Sequence, residues 1–494
     1  MERLSALDAG FIYMEDGIAH MHIAGMCIFD GPSPTLAELH TLLTAKLHLI
    51  PRYRQRVRSV PFELGRPVWV DDPHFRLDDH VRHTALPAPG GDAELTTLMG
   101  RLMSQALDRD RPLWETWLVE GVEDGRWALV FKVHHCMVDG IAGVELLTAL
   151  LDLSPDVDLE QPRPWTPSPE PSGAALAIDA WRGLAVDLLD GALALPGLAT
   201  DPRRAIRSVT DFGRGVGGFV RNLTAPRRLS IEGSIGPHRA WAHSSASFDD
   251  VSAIRAAYGG TVNDVVLAAI SAGFRELLSS RGDDPDTAVV RSMVPVSVRG
   301  TDGRGVPDNR VSTLLCKLPV HLDDPVERLR AVHQEMAEQK GSHMAEAGET
   351  VTRIGNLAPP MVVGTLVRLG IRAEHVVPQR IVHTVTTNVP GPQFPLYCMG
   401  REMLEYRPFV PISHGVRIGT AILSYNGRLA FGVTGDLDTA SDVAVVADGA
   451  ARSIGELARS AGPKARQKAR RKSGPKAGPK TGPKAGQKAG RRAP

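Results

Sequence analysis

The chain has 494 residues, 43% hydrophobic and 23% charged, a balance that excludes an unfolded polymer and gives length enough for two cores. Its formal net charge of +1 hides a split: thirteen of the 57 Lys and Arg residues lie from Arg459 onward, where there is no Asp or Glu, leaving 44 basic against 56 acidic residues in the body. An acidic body argues against duplex DNA as the main partner, and no specific nucleic acid is expected. Cys27, Cys136, Cys316 and Cys398 are scattered, without the paired spacing of a zinc site or a disulfide framework. No apolar run is long enough to cross a bilayer, and the segment after Glu2 does not read as a secretory signal, so the expected location is the cytoplasm, with peripheral membrane contact at most.

In chain order, Thr35 and Glu38 form a capping-box pattern ahead of Leu36, Leu39, Leu43, Leu47 and Ile50 at helical spacing. A second helix is expected from about Glu94 to Leu107. The apolar run Trp127 to Val133 then reads as a strand that delivers His134-His135-Cys136-Met137-Val138-Asp139-Gly140 at its end. Ile141, Val144, Leu147 and Leu151 follow at helical spacing, so this motif sits on a strand-to-helix turn with Asp139 near the helix start. Successive strand side chains face opposite ways, which makes one histidine the candidate base and the other scaffold. Cys136, beside the base, reads as a packing residue rather than a nucleophile.

The Pro-rich stretch Ser154 to Gly173 breaks the pattern, and Ala174 to Asn222 reads as linker helices. Gly213-Arg214-Gly215-Val216-Gly217-Gly218 matches the dinucleotide fingerprint formally, but no apolar strand leads into it, so it reads as a connector. From Phe248 an α/β rhythm restarts: a helix through Val265 to Leu278 and strands at Val289 to Val298, Thr313 to Pro319, near Ile381 to Asn388, and Leu429 to Thr434. The expected division is therefore 1–160, a linker at 161–240, a second domain at 241–458, and a tail at 459–494. The tail repeats Gly-Pro-Lys units and cannot build a core.

Separated motifs carry a resemblance along nearly the whole ordered length: Leu4-Ser5-Ala6-Leu7-Asp8, Pro112-Leu113-Trp114, the double-histidine loop, Asn263-Asp264, Met293-Val294-Pro295-Val296-Ser297-Val298-Arg299, Asn388-Val389-Pro390-Gly391-Pro392, and Ser424-Tyr425-Asn426-Gly427 with Phe431-Gly432. Together they resemble the bacterial wax ester synthase/diacylglycerol acyltransferase family. Thr387 stands where that family more often has Ser, and the basic tail is outside the shared pattern. The resemblance implies an α/β fold of two chloramphenicol acetyltransferase-like domains, joined by a helical linker and followed by a disordered tail. It implies direct acyl transfer from acyl-CoA, a co-substrate, to diacylglycerol, giving triacylglycerol, or alternatively to a long-chain fatty alcohol. No further cofactor and no metal are expected. An amide-forming condensation enzyme, which shares the double-histidine loop, and a non-catalytic lipid-binding protein are the rival classes.

An aliphatic hydroxyl needs a base to attack a thioester, and histidine titrates near neutrality. The resemblance assigns that role to His135, with His134 as scaffold. Asn263 is the candidate oxyanion donor, its alternative being a helix cap. Asp264 reads as a first-turn acid. The resemblance also turns Asp139 away from the pocket to pair with an arginine, for which Arg299 is the candidate, and Gly140 suits the tight turn. The tail is expected to attract anionic membrane or a lipid-inclusion surface.

Overall fold

A computed structural model describes residues 2–137, 149–156, 159, 161–194, 228–297, 311–341, 361, 364–365, 368–369, 381–463 and 465. In chain order these form β1 (Glu2–Arg3), α1 (Ala6–Met14), β2 (His22–Phe29), α2 (Leu36–Lys46), β3 (Gln55–Arg58), β4 (Val68–Asp71), β5 (Val81–Ala85), α3 (Asp92–Met103), β6 (Trp114–Val122), β7 (Arg126–His134) and α4 (Gly173–Ala194). The second half supplies β8 (Arg239–Ser247), α5 (Phe248–Tyr258), α6 (Val262–Ser280), β9 (Val290–Ser297), β10 (Val311–Leu318), α7 (Pro325–Gly341), β11 (Thr384–Pro390), β12 (Tyr397–Cys398), β13 (Arg401–Phe409), β14 (Ile418–Tyr425), β15 (Arg428–Asp436) and α8 (Ala444–Ser460).

Two six-stranded mixed sheets organise these elements, in the orders β12-β13-β2-β7-β6-β5 and β10-β9-β11-β14-β15-β8, beside a small sheet β1-β4-β3. Strand β7 is central and covered on both faces, which explains its apolar run from Trp127 to Phe131. Trp127, Leu129, Phe131 and Val133 join the core under Leu39, Leu42 and Leu43 of α2, whereas Ala128 and Val130 join the core under Leu95, Leu98 and Leu102 of α3. The second sheet is buried mainly by α6 and α8, whose Val265, Leu267, Val446 and Ile454 share one core with Phe431 and Val433 of β15.

The capping box forms as expected: Thr35 Oγ1 accepts the Glu38 amide at 3.2 Å, and Glu38 returns a carboxylate to the Thr35 amide at 2.7 Å. The helix stops at Lys46 rather than continuing to Ile50, because Pro51 pushes Ile50 out of helical geometry. The helix expected at Glu94 to Leu107 spans Asp92–Met103; Leu107 instead packs beside α1 with Leu4, Ile12 and Cys136.

Segment 397–409, which the sequence pattern assigns to the second domain, crosses to the first sheet. There β13 runs antiparallel to β2, Phe409 opposite Ala24 and Met403 opposite Phe29. Two glycines admit this crossing. The Tyr406 ring lies across Gly25, where a Cβ would meet its hydroxyl at 1.9 Å, and a Cβ on Gly432 of β15 would lie 1.7 Å from the Pro408 carbonyl. Tyr425 of β14 locks the junction, its hydroxyl accepting the Leu396 amide and donating to the Met403 carbonyl, each at 2.9 Å. Asp92–Arg407 and Asp16–His414 contacts, both 2.8 Å, tie the halves further.

Candidate active site

Strand β7 ends at His134, and His135–Met137 form a short 3₁₀ turn. The His134 amide donates to Leu113 O at 2.9 Å and the His135 amide to Met21 O at 2.8 Å, so neighbouring segments hold the turn on both sides. The Pro112-Leu113-Trp114 motif thereby acquires a physical role, since Leu113 receives the end of β7 while Trp114 donates its indole N–H to Tyr53 O at 2.9 Å. The two imidazoles face apart. His134 is fully buried; His135 is half-buried and stacks on Phe11, ring centroids 3.9 Å apart and planes 22° off parallel. Ser5 caps the helix that carries Phe11, its hydroxyl accepting the Asp8 amide at 3.1 Å, and the Leu4-Ser5-Ala6-Leu7-Asp8 motif thus starts the helix that reaches the turn.

His134 turns into a charged cluster beneath the strand. Its Nε2 lies 3.5 Å from Glu15 Oε2, and His22, directly opposite His134 across the sheet, places Nε2 3.2 Å from Glu15 Oε1. Burial alone would raise the Glu15 carboxyl; the close approach of His134 and His22 outweighs it and holds the group ionised well below the usual carboxylate range. Burial pushes His22 down to about 3, with Glu15 only partly opposing. Lys132, also on this face, is lowered to about 8 by burial and donates to the carbonyls of Leu102 at 3.0 Å and Gln105 at 2.6 Å. Cys136 is buried among Leu4, Ile12 and Leu113, and desolvation raises its thiol far above neutrality, so it has no thiolate to offer as a nucleophile. Among the described residues no three His, Cys, Asp or Glu side chains are placed to hold a metal ion.

Asn263 stands in the first turn of α6, and it is not the cap. Thr261 is: its hydroxyl accepts the Asp264 amide at 3.2 Å, and Asp264 accepts the Thr261 amide at 2.8 Å. Asp264 is therefore a first-turn acid of a capping box, and it also meets His333 Nδ1 at 2.9 Å. The Asn263 carbonyl oxygen lies 3.5 Å from Asn388 Nδ2, which uses the acceptor end of the amide and leaves its N–H₂ end for another partner. Asn388 belongs to the Asn388-Val389-Pro390-Gly391-Pro392 segment at the end of β11. Gly391 N–H donates to Ser424 Oγ at 3.2 Å and Gln393 bridges to the Gly427 amide at 3.1 Å, so this segment and Ser424-Tyr425-Asn426-Gly427 brace each other. Val389 packs against the core of the first sheet.

The sequence also points to Asp139, Gly140 and Arg299; these, residues 138–148 of the expected helix after the turn, the Gly213 to Gly218 connector and the tail beyond Ala465 lie outside the described residues. Phe11, Glu15 and His22 are site residues that sequence reasoning does not single out, and Asn388 enters there only as part of a motif, without a role. Phe11 and Glu15 are four apart behind a capped helix start, a spacing that could have flagged them. Nothing in the sequence links Glu15 to His134.

Two mixed sheets, the first of which takes β12 and β13 from the second half of the chain, with an imidazole on a turn at the end of a central strand of the first, define a CoA-dependent acyltransferase fold. Comparison with known proteins agrees. Residues 4–266 match the wax ester synthase/diacylglycerol acyltransferase catalytic domain and residues 308–458 match the corresponding C-terminal domain. The chain is 36% identical over 463 residues to a probable diacylglycerol O-acyltransferase (tgs1) of Mycobacterium tuberculosis H37Rv, covering 92% of this chain and 96% of that one. The solved wax ester synthase/diacylglycerol acyltransferase of Marinobacter aquaeolei VT8 superposes with a TM-score of 0.66 at 26% identity, over 94% of this chain and 100% of that one. The first condensation domain of the calcium-dependent antibiotic synthetase shares the fold at 16% identity, with a TM-score of 0.55 over 94% and 98% of the two chains. The chain belongs to the wax ester synthase/diacylglycerol acyltransferase family and is an acyltransferase.

Proposed function

We propose that this enzyme transfers a long-chain acyl group from acyl-CoA to diacylglycerol, forming triacylglycerol and free CoA. His135 takes the hydroxyl proton as the acceptor oxygen attacks the thioester carbonyl, and it returns that proton to the departing thiolate. Asn263 donates to the oxyanion of the tetrahedral intermediate. His134, Asp139, Gly140 and Arg299 support the turn, Asp139 through an ion pair with Arg299. The observation that carries the reading is the division of labour at the turn, where the half-buried His135 stands apart from a fully buried His134 engaged with Glu15. Acyl-CoA and diacylglycerol as substrates are supported by the family and by the names of the relatives.

The test is an assay of the purified full chain with labelled palmitoyl-CoA against diacylglycerol, hexadecanol and water, products read by mass spectrometry. Triacylglycerol as the dominant product is expected. Dominant hexadecyl palmitate would move the acceptor to fatty alcohol; hydrolysis alone, or binding without turnover, would remove the acyltransfer reading.

No helix of the described residues is long and apolar enough to cross a membrane. For substrates insoluble in water we assign surface attachment to the basic segment from Arg459 onward, with its thirteen cationic side chains. Each adds about 1 kcal/mol of attraction near an anionic lipid surface. Deleting 459–494 should leave turnover on a dispersed short-chain acceptor unchanged while abolishing salt-sensitive binding to anionic liposomes. Equal liposome binding by both forms at low salt would sink the attachment.

A further inference from the structure

Helix α1 and the residue that ends it grip both histidines of the turn. Phe11 stacks on His135, and one helical turn later Glu15 passes its carboxylate under the strand to His134 and His22. The Glu15 side chain is 7% exposed, and the two imidazoles it meets are at 0% and 1%. Arg109 Nε donates to the carboxylate at 3.0 Å from the solvent side, and the His20 Nδ1 lies 4.0 Å from Oε1. A carboxylate is costly to bury unless donors or positive charge meet it, and here Arg109 and the His134 Nε2 converge on one oxygen, Oε2.

The position of one proton on His134 links this cluster to the turn. His134 Nδ1 accepts the Cys136 amide at 3.1 Å. A neutral imidazole that accepts at Nδ1 must carry its proton on Nε2. That nitrogen faces Glu15, and a carboxylate selects the tautomer that presents N–H to it. The other tautomer would set an Nδ1–H against the Cys136 N–H, donor against donor, and push the peptide that follows His135 out of place.

We propose that Glu15 is a positioning residue for acyl transfer: it holds His134 in the Nε2–H form, which fixes the Cys136 amide and so the turn that aims His135, while Phe11 of the same helix sets the plane of the His135 ring. The proposal rests on the reading of His135 as the base. It gives the motif at the start of the chain a function beyond packing, since Ser5 caps the helix that reaches both histidines.

The test uses the full-length chain with palmitoyl-CoA and diacylglycerol. Glu15→Gln keeps the shape but removes the negative charge that selects the Nε2–H form of His134. It should lower kcat roughly 10-fold to 100-fold, the scale of a misaimed catalytic group, with the KM for palmitoyl-CoA within about twofold of wild type and melting still cooperative. Glu15→Asp, which retains the charge, should recover part of the loss. Nitrogen-15 spectra of histidine-labelled protein should show a pyridine-type Nδ1 for His134 in the wild type and its loss or mixing in Glu15→Gln. Wild-type turnover in Glu15→Gln overturns the proposal, and so does lost turnover with the His134 tautomer unchanged. If neither variant folds, Glu15 is a folding residue and the positioning role is also overturned. His135→Ala separates the underlying reading: wild-type turnover in that variant would remove the base, while the tautomer spectra would still report whether Glu15 governs His134.

Discussion

The two sheets contain the same clamp and use it differently. In the first, buried His134 accepts a backbone amide, that of Cys136, on Nδ1 and turns Nε2 toward the buried Glu15. In the second, buried His383 accepts the Arg291 amide on Nδ1 at 3.1 Å and turns Nε2 toward the buried Glu232 at 3.2 Å. The chain leaves the two histidines in different ways. After His134 it departs from the strand on a turn and exposes a second imidazole; after His383 it enters β11, whose Thr384 and Thr386 are buried in hydrogen bonds to Ile418 O and Ser292 Oγ. One pattern of imidazole, amide and carboxylate thus seats a reactive group at a strand end in one half and registers a strand in the other. A buried histidine–glutamate pair is therefore not evidence of catalysis; the residue that leaves the pair is.

Substitution at the two sites should break the likeness most sharply. His135→Ala is expected to lower turnover by roughly 100-fold to 10,000-fold, the usual yield of a general base, with unchanged melting. His383→Ala should instead cost stability, about 3 kcal/mol or more, since it strips a partner from a buried carboxylate. Its folded fraction should retain near-normal kcat. Thermal melts and turnover per folded molecule distinguish them, and a folded but inactive His383→Ala would mean that both clamps serve the chemistry.

At Asn263 the contrast is with its own neighbour. Asn263→Ala should reduce kcat by about 100-fold with little change in acyl-CoA affinity, because an oxyanion donor acts in the transition state. Thr261→Ala should do the reverse, costing about 1 kcal/mol of stability through the lost cap while turnover stays within a few-fold. Asn263→Asp puts an acceptor where a donor is needed, so near-normal turnover in that variant would defeat the assignment.

Much of this is readable from the chain, for reasons that also mark the limit. The double-histidine turn is local: a buried strand forces alternation, so one ring must face away from the other. The Thr35 box and the α/β rhythm are local too. The helix start at Thr261 obeys the same box pattern three residues before Asp264, yet on sequence alone Asn263 competes for the cap, and only the structure sets it inside the first turn. The unreadable parts depend on contacts between distant segments. β13 carries Arg401, Glu402, Glu405 and Arg407 and a register shift between Met403 and Glu405, which blur its alternation, and its partner β2 lies at the other end of the chain. Glu15 meets His134 only because α1 folds under β7, a pairing that no spacing encodes.

The smallest expected effect concerns acid. His22 is neutral in the native state, its pKa held at about 3, and it protonates near 6.5 when unfolded. Between those values the unfolded chain binds more protons, so stability falls as pH drops below 6.5, by at most about 1.4 kcal/mol per pH unit for one group. Glu15 acts with the same sign lower down: it is ionised when folded but takes a proton near 4.5 when unfolded, so the loss steepens below that pH. His243 of β8, held at about 4 by burial, adds to the upper window from the second half of the molecule. Denaturant titrations at pH 7, 6 and 5 should therefore show stability falling with acidification, and His22→Gln should flatten that slope by about one proton's worth while leaving the His243 contribution in place. An unchanged slope in His22→Gln would mean that His22 titrates alike in both states, and the cluster beneath the turn would then not be the acid-sensitive half.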